Sequence, residues 1–168
     1  VLCSGATASG RNTIIRDLVK TGKYYLVVSD TTRKPRDNDG KMEQDGVEYW
    51  FRTEQDMLAD IKAGKFIEAE IIHQQQVSGQ SIREIKKATV QNKVAITDAD
   101  SGGVAIVKAA KPDTICIFFL PPDYDSWQAR IAARGHMDPA EYQRRTNTAR
   151  KEIAFALDHD YFHFVIND

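Results

Sequence analysis

The sequence has little of several features that mark large classes of protein. Its charges nearly cancel, with 23 Lys and Arg residues against 24 Asp and Glu residues in 168, which excludes a strongly basic protein that wraps nucleic acid. No apolar run approaches the ~20 residues that a membrane-spanning helix needs. We therefore predict a protein that binds neither nucleic acid nor a membrane.

Cysteine is also scarce. Cys3 and Cys116 both lie in apolar segments typical of strands, which predicts buried thiols and no disulfide framework. The four histidines show no spacing typical of a zinc site. Since no signal-peptide pattern precedes the first strand-like segment, we predict a cytoplasmic location.

The composition, 42% hydrophobic and 28% charged, is typical of a globular protein with a buried core, and the length suits one domain. Apolar runs predict buried strands at 24–28, 93–97, 114–120 and 162–166. Helical periodicity is found at 12–20, 102–110 and 139–157. This alternation predicts an α/β fold with a parallel sheet, and the polar, turn-rich stretch 29–92 predicts an inserted subdomain.

A glycine-containing segment joins the first apolar residues to the first helix. Gly5 and Gly10 have the spacing of the phosphate loop G-x-x-x-x-G-K-[ST], in which backbone N–H groups surround a phosphate. Arg11 takes the lysine position and Asn12 the hydroxyl position, and a neighbouring hydroxyl is available from Thr13. The alternative is a strand-to-helix turn that binds nothing.

Two further groups of side chains indicate ligand binding. Arg33 and Arg36 flank Pro35 and form a pair that could hold a phosphate, although an isolated pair of this kind is commonly a solvated surface feature. Asp98 and Asp100 end a predicted strand, where ligands of open α/β sheets bind, and their alternation places both on one side. The alternative for this second pair is a cap of the following helix.

With these motifs, the sequence resembles guanylate kinase over nearly its whole length. The matching elements are the phosphate loop, S-x-T-T-R-x-P-R, D-G-x-x-Y-x-F, F-I-E, D-x-D, F-x-P-P, A-R-G, R-R-x-x-x-A-R-x-E-I and a closing V-I-N-D. The most specific of these is S-x-T-T-R-x-P-R, which begins at Ser29.

The resemblance implies a P-loop NTPase three-layer α/β core with an inserted GMP-binding subdomain and a helical lid. The expected core comprises 1–31, 88–122 and 148–168, the insert 32–87 and the lid 123–147. It also implies transfer of the γ-phosphate of ATP to GMP, which gives ADP and GDP, with Mg²⁺ as cofactor.

The resemblance assigns roles residue by residue. Donor ATP is assigned to Gly5, Ala6, Thr7, Ala8, Ser9, Gly10, Arg11, Asn12 and Thr13. Acceptor GMP is assigned to Ser29, Arg33, Arg36, Tyr49, Glu68, Ser78, Gln80, Asp98 and Asp100. Catalytic charge neutralisation is assigned to Arg11, Arg36, Arg134 and Arg145, and Mg²⁺ to Asn12 or Thr13 with Asp98. Arg130 and Arg144 are expected in surface pairs with nearby acids.

The acceptor segment departs from the family pattern. Ser78 and Gln80 stand where a tyrosine and a small hydroxyl residue are usual. Without the family motif F-I-E around it, Glu68 would be interpreted as a charged surface residue. Two alternatives to the leading function therefore stay open: a weakly active or inactive nucleotide- or partner-binding module, and a kinase with another acceptor nucleotide. The expected assembly is a monomer or homodimer.

Overall fold

A computed structural model describes residues 1–38, 40–72, 76–133 and 138–168. Its strands are β1 (Leu2–Gly5), β2 (Tyr24–Leu26), β3 (Asp30–Thr31), β4 (Asp37–Asn38), β5 (Lys41–Met42), β6 (Trp50–Phe51), β7 (Phe66–Ile72), β8 (Gln76–Ser81), β9 (Val94–Asp98), β10 (Cys116–Leu120) and β11 (Phe162–Ile166). Its helices are α1 (Arg11–Lys20), α2 (Glu54–Lys62), α3 (Ile82–Val90), α4 (Ser101–Ala110), α5 (Tyr124–Ala132) and α6 (Pro139–Leu157).

The central sheet has five parallel strands in the order β11-β10-β1-β9-β2. Successive side chains of a strand point to opposite faces. Leu2 accordingly packs with Val104 of α4 and Ala156 of α6, whereas Cys3 packs with Ile15 of α1 on the other face. The result is the predicted α/β core with helices on both faces of a parallel sheet, and its strands and helices lie close to the expected positions.

The thiols of Cys3 and Cys116 are both buried and free, as predicted. They lie on the adjacent strands β1 and β10. Burial raises the pKa of the Cys3 thiol to about 11, so this group behaves as a small apolar side chain near neutral pH.

The prediction of a buried strand at 162–166 is only partly correct. Phe162 is buried, but Phe164, Val165 and Ile166 are exposed. The reason is position: β11 is the edge strand of the sheet and pairs only with β10 within the described residues. An apolar run identifies a strand but does not say whether both of its faces are covered.

A second, smaller sheet has the order β6-β3-β8-β7 and is mostly antiparallel. We expected residues up to 31 to belong to the core, but β3 pairs with β8 and β6 of this second sheet. The chain leaves the central sheet after Val27, whose N–H still donates to Ile96. Similarly, the expected boundaries at 87/88 and 147/148 fall within α3 and α6, so two helices continue across them.

Glu84 of α3 lies at the junction between the two sheets. Its buried carboxylate accepts hydrogen bonds from the Tyr25 hydroxyl at 3.0 Å and from the Val28 N–H at 3.4 Å, and it is also paired with Lys87. These contacts fix the point where the chain passes from β2 to β3, directly before Ser29. None of the described helices has the length and apolar character needed to cross a membrane.

Candidate functional site

The glycine-containing loop follows β1 at the carboxyl edge of the central sheet. Gly10 has a φ of 83°, a left-handed conformation that suits glycine, and Gly5 lies so close to β10 that a Cβ there would approach the Phe119 carbonyl oxygen to 2.5 Å. The first N–H groups of a helix have no partner four residues back, and in α1 the first N–H groups that find one within the turn are those of Thr13 and Ile14, which donate to the Gly10 carbonyl oxygen at 3.0 and 3.2 Å. Residues Ala6 to Asn12 line a small concave cradle of about 70 Å³. The local geometry is that of an anion-binding loop.

Two side chains from other elements hold this loop in place. The Trp127 indole of α5 donates to the Thr7 carbonyl oxygen at 2.8 Å, and the Asn167 amide donates to that of Ser9 at 2.8 Å. Arg130 in turn donates to the Asn167 carbonyl oxygen at 3.0 Å, so the expected pairing of Arg130 with an acid is replaced by a backbone contact. The loop is therefore positioned by α5 and by the end of β11.

Ala8 occupies a left-handed backbone conformation, with a φ of 63°. Such a conformation costs a residue with a Cβ roughly 1–2 kcal/mol, which glycine avoids. Alanine at this position thus leaves local strain in the loop.

Arg11, in the position of the usual lysine, extends from the loop toward β9. Its guanidinium Nη2 lies 3.0 Å from Oδ2 of Asp98 in a partly exposed ion pair. Within the described residues, the buried Nε of Arg11 has no hydrogen-bond partner. The pair links the loop to the strand end that borders the neighbouring cavity.

That neighbouring cavity, of about 220 Å³, lies between the two sheets. Predicted acceptor residues that line it are Ser29, Arg33, Tyr49, Glu68, Ser78, Gln80, Asp98 and Asp100. Among the described residues, Arg36 is the predicted acceptor residue that does not line it. The structure thus brings together groups that are spread over about 70 positions of the chain.

Arg33 and Tyr49 form a cationic group that lines this cavity. Arg33 lies over the Tyr49 ring with 5.0 Å between the guanidinium carbon and the ring centroid. Its two terminal nitrogens are paired with both oxygens of Glu43, at 2.7 and 3.1 Å, and these side chains are largely buried. Glu43 also accepts the Arg36 N–H at 2.9 Å, while the Arg36 side chain is exposed. Glu43 therefore orients the arginine segment.

Carboxylates form a second group of lining residues. Burial, together with the nearby charges of Glu70 and Asp100, raises the pKa of Glu68 to about 7. Burial and the adjacent Asp100 also raise the pKa of Glu70. Asp100 lines the cavity and also caps the following helix, because its Oδ1 accepts the Gly103 N–H at 3.0 Å at the start of α4.

The two unusual residues of β8 line the same cavity. The Ser78 hydroxyl lies 2.8 Å from that of Thr31. The Gln80 amide donates to the Asp98 carbonyl oxygen at 3.3 Å and is almost fully buried. Both side chains are thus engaged with neighbouring segments of the protein.

Of the two predicted lid arginines, the structure describes Arg145. Arg134 lies outside the described residues. Arg145, near the start of α6, is paired with Glu141 at 2.7 Å, and Glu141 also pairs with Arg144 at 2.7 Å, as expected for Arg144. Among the described residues, Arg145 lines none of the cavities above.

The donor set expected for Mg²⁺ fits in part. Asn12 and Thr13 are exposed in the first turn of α1 and offer an amide and a hydroxyl oxygen, the oxygen chemistry that Mg²⁺ prefers. Asp98 differs from the expectation, because its carboxylate is held by the Arg11 guanidinium. A metal ion and a guanidinium compete for the same oxygen, so the fit rests on Asn12 and Thr13.

Several residues of the site were not predicted from the sequence. Glu70 has the clearest signal, since it follows Glu68 by two positions in a strand and lines the same cavity. Glu152 of α6 is also half-buried, and burial raises its pKa to about 7, with Arg11 and Asp100 both close enough to affect it. Nothing in the local sequence around Glu43, Trp127 or Glu152 indicates their long-range contacts.

A parallel α/β/α core with a phosphate loop at the carboxyl edge of the sheet is the architecture of P-loop NTPases. The computed structure is similar to a crystal structure of guanylate kinase from Anaplasma phagocytophilum, with a TM-score of 0.66 and 18% identity over 99% of this chain and 77% of that chain. At this identity, the likeness concerns the fold.

The sequence comparisons define the family. The guanylate kinase family model matches residues 1–168. The chain is 35% identical to guanylate kinase of Mycobacterium sp. (strain MCS) over 95% of this chain and 80% of that protein. It is 33% identical to guanylate kinase 1 of Oryza sativa subsp. japonica over 100% of this chain but only 44% of that longer protein. The chain belongs to the guanylate kinase family, which confirms the resemblance seen in the sequence.

Proposed function

We propose that this protein transfers the γ-phosphate of ATP to GMP, giving ADP and GDP. The observation that carries the proposal is one cavity lined by both a cationic group and carboxylates. Arg33 and Tyr49 suit a phosphate, and Glu68 and Asp100 suit the N–H groups of a guanine edge. The phosphate loop lies beside this cavity, linked to it by the Arg11–Asp98 pair.

The charge of the carboxylates favours guanine over adenine. Guanine presents donors at N1 and at its exocyclic amine, both of which a carboxylate accepts, whereas adenine presents an acceptor at N1. Glu68 supports this preference best when its carboxyl is ionised. Ser78 removes the phosphate hydrogen bond of the usual tyrosine, so a larger share of phosphate binding falls to Arg33 and Tyr49.

Transfer would proceed in line between the two bound phosphates, without a covalent intermediate on the protein. Arg11 would neutralise charge on the donor, and Arg145 would do so after movement of α6, with Arg36 and Arg134 as further predicted cations. Asn12 and Thr13 would hold Mg²⁺, which supplies charge neutralisation at the phosphate oxygens when bound. The loop backbone would orient the donor.

The division into core, insert and lid stays a prediction, supported by the two sheets and by the position of α5 and α6 beside the loop. The cytoplasmic location and the monomer or homodimer also stay predictions. Two alternatives are less favoured: a weakly active or inactive nucleotide- or partner-binding module, and a kinase with another acceptor nucleotide. The relatives named above are guanylate kinases, and Glu68 and Asp100 in the cavity suit guanine.

A coupled assay with ATP, Mg²⁺ and a panel of GMP, AMP, UMP and dAMP tests the proposal. We expect turnover with GMP and at least tenfold lower kcat/KM with each other acceptor. Equal rates with GMP and AMP would refute the guanine assignment. Calorimetric binding of GMP without turnover would refute the assignment as an enzyme.

A further inference from the structure

Arg11 lies at the boundary between the donor loop and the acceptor cavity. It starts α1 and lines the loop cradle, whereas its ion-pair partner Asp98 lines the acceptor cavity. One ion pair, 3.0 Å long, therefore joins a group of each site. Asp98 ends β9, and β9 pairs directly with β1, the strand that leads into the loop.

The hydrogen-bonding capacity of Arg11 is incompletely used in this arrangement. A guanidinium has five N–H donors in a planar fork. Within the described residues, the buried Nε of Arg11 has no partner, and one terminal nitrogen pairs with Asp98. A phosphate can accept two parallel N–H bonds from the same fork and carries more charge than one carboxylate. Donor phosphates in the cradle are thus strong competitors for Arg11.

Asp98 gains a different role when its partner leaves. A carboxylate held by a guanidinium has less capacity to accept from other donors. Released, it faces a cavity whose proposed ligand presents several donors, the N–H groups of guanine and the hydroxyls of ribose. Gln80, which donates to the Asp98 carbonyl oxygen at 3.3 Å, holds the backbone of this strand end while the side chain changes partner.

We infer that Arg11 and Asp98 form an exchange switch that couples the two nucleotide sites. Donor phosphates draw Arg11 away from Asp98, and the released carboxylate then strengthens binding of the acceptor. By thermodynamic linkage, the acceptor strengthens donor binding by the same factor. The inference rests on the proposed function, because it takes ATP and GMP as the two ligands.

The test is the dissociation constant of GMP, measured by calorimetry with and without a saturating β,γ-imido analogue of ATP and Mg²⁺. We expect GMP to bind about fivefold or more tightly when the analogue is present. In Asp98→Asn, which keeps the side-chain size but weakens the pair, the ratio of the two constants should fall below about twofold, whatever the basal affinity.

Asp17→Asn is the matched control, because it removes the carboxylate of another ion pair of α1, with Lys20, at 2.7 Å. It should keep the full coupling. Equal GMP constants with and without the analogue in the unsubstituted protein would overturn the switch alone, as would full coupling in Asp98→Asn. No GMP binding under either condition would overturn the proposed function together with the switch.

Discussion

The loop cradle that we propose binds ATP is formed by the backbone, whereas the cavity that we propose binds GMP is formed by side chains. The cradle is lined by seven consecutive residues, Ala6 to Asn12, in a loop whose backbone conformation creates the site. The acceptor cavity is about three times larger and is lined by side chains from several separate segments. A site built by the backbone should tolerate a replaced side chain, such as Asn12 in the hydroxyl position. A side-chain-built site depends on each group, so changes there should be the more damaging.

The largest effect is expected from a residue that belongs to neither site in this structure. Arg145→Ala should lower kcat on the order of 10³-fold, because a positioned arginine stabilises the charge that develops during phosphoryl transfer. Arg144→Ala is the matched control, since Arg144 pairs with the same Glu141 and is more exposed. Steady-state kinetics of both variants would check this. A similar loss in both, or in neither, would remove the special role of Arg145.

Within the acceptor cavity, Arg33→Ala should lower kcat/KM for GMP on the order of 100-fold. Both terminal nitrogens of Arg33 already pair with Glu43, so we expect the loss of one charged hydrogen bond to the phosphate, of the order of 1.5–3 kcal/mol. Asn12→Ala in the donor loop should cost less than about tenfold in kcat/KM for ATP, since the backbone remains. Equal losses at the two positions would contradict the comparison of the two sites.

The Arg33 variant has a second consequence that needs its own control. Removing Arg33 leaves the buried carboxylate of Glu43 without its bidentate partner, which destabilises the fold as well as the site. The double variant Arg33→Ala with Glu43→Ala removes that unpaired charge. It should recover thermal stability, measured as Tm, but not the affinity for GMP.

The pKa of Glu68 predicts opposite effects of pH on binding and on stability. With a pKa of about 7, the carboxylate needed for guanine is lost on acidification, so kcat/KM for GMP should fall about tenfold from pH 8 to pH 6. The pKa is raised from its ordinary value of 4.5, so the stabilisation this group contributes is present below pH 4.5 and is lost as pH rises through 7.

Glu68→Gln should therefore be more stable than the unsubstituted protein at pH 8, by about 3 kcal/mol, while GMP affinity falls. The stability difference should vanish near pH 4.5. Urea unfolding at several pH values measures it. On the donor side, Glu152→Gln should show a stability change of the same sign, because burial also raises that pKa. If the stability difference from the unsubstituted protein does not change with pH for either Glu68→Gln or Glu152→Gln, the raised pKa values of both carboxyl groups are contradicted.

The smallest effect is expected in the donor loop. Ala8→Gly removes the strain of the left-handed conformation, but it also increases the conformational entropy of the unfolded chain. The free energy of unfolding should therefore rise by less than about 1 kcal/mol, which corresponds to roughly 2–4 °C in Tm. Ala6→Gly, which adds the entropy without relieving a positive φ, should lower Tm instead. If Tm changes in the same direction in Ala8→Gly and Ala6→Gly, strain at Ala8 does not determine the effect of glycine on stability.

The elements that depend on residues close together in the chain were predicted correctly from the sequence. Apolar periodicity located α1, α4 and α6, and glycine spacing located the phosphate loop, because these features depend on residues close together in the chain. Asp98 and Asp100 both line one cavity, although β9 ends at Asp98 and Asp100 is instead the N-cap of α4, so strand alternation does not account for its position. The same rule, applied to Glu68, would have identified Glu70.

Features set by distant contacts were not accessible in this way. Residues up to 31 were expected in the core, but β3 pairs with β8, which lies more than 40 residues away in the chain. The contact of Trp127 with Thr7 spans 120 positions, and the pairing of Arg11 with Asp98 joins different elements. A single sequence specifies these contacts only through the packing of the whole fold.

The continuity of α6 has a mechanical consequence. Ala156, near its end, is fully buried against the central sheet, while Arg145 lies eleven residues earlier in the same uninterrupted helix. At 1.5 Å per residue, the two are about 16 Å apart, so a tilt of about 10° around Ala156 would carry Arg145 through about 3 Å. Because the end of the helix is packed in the core, a small rotation there would displace Arg145 much farther than it displaces Ala156.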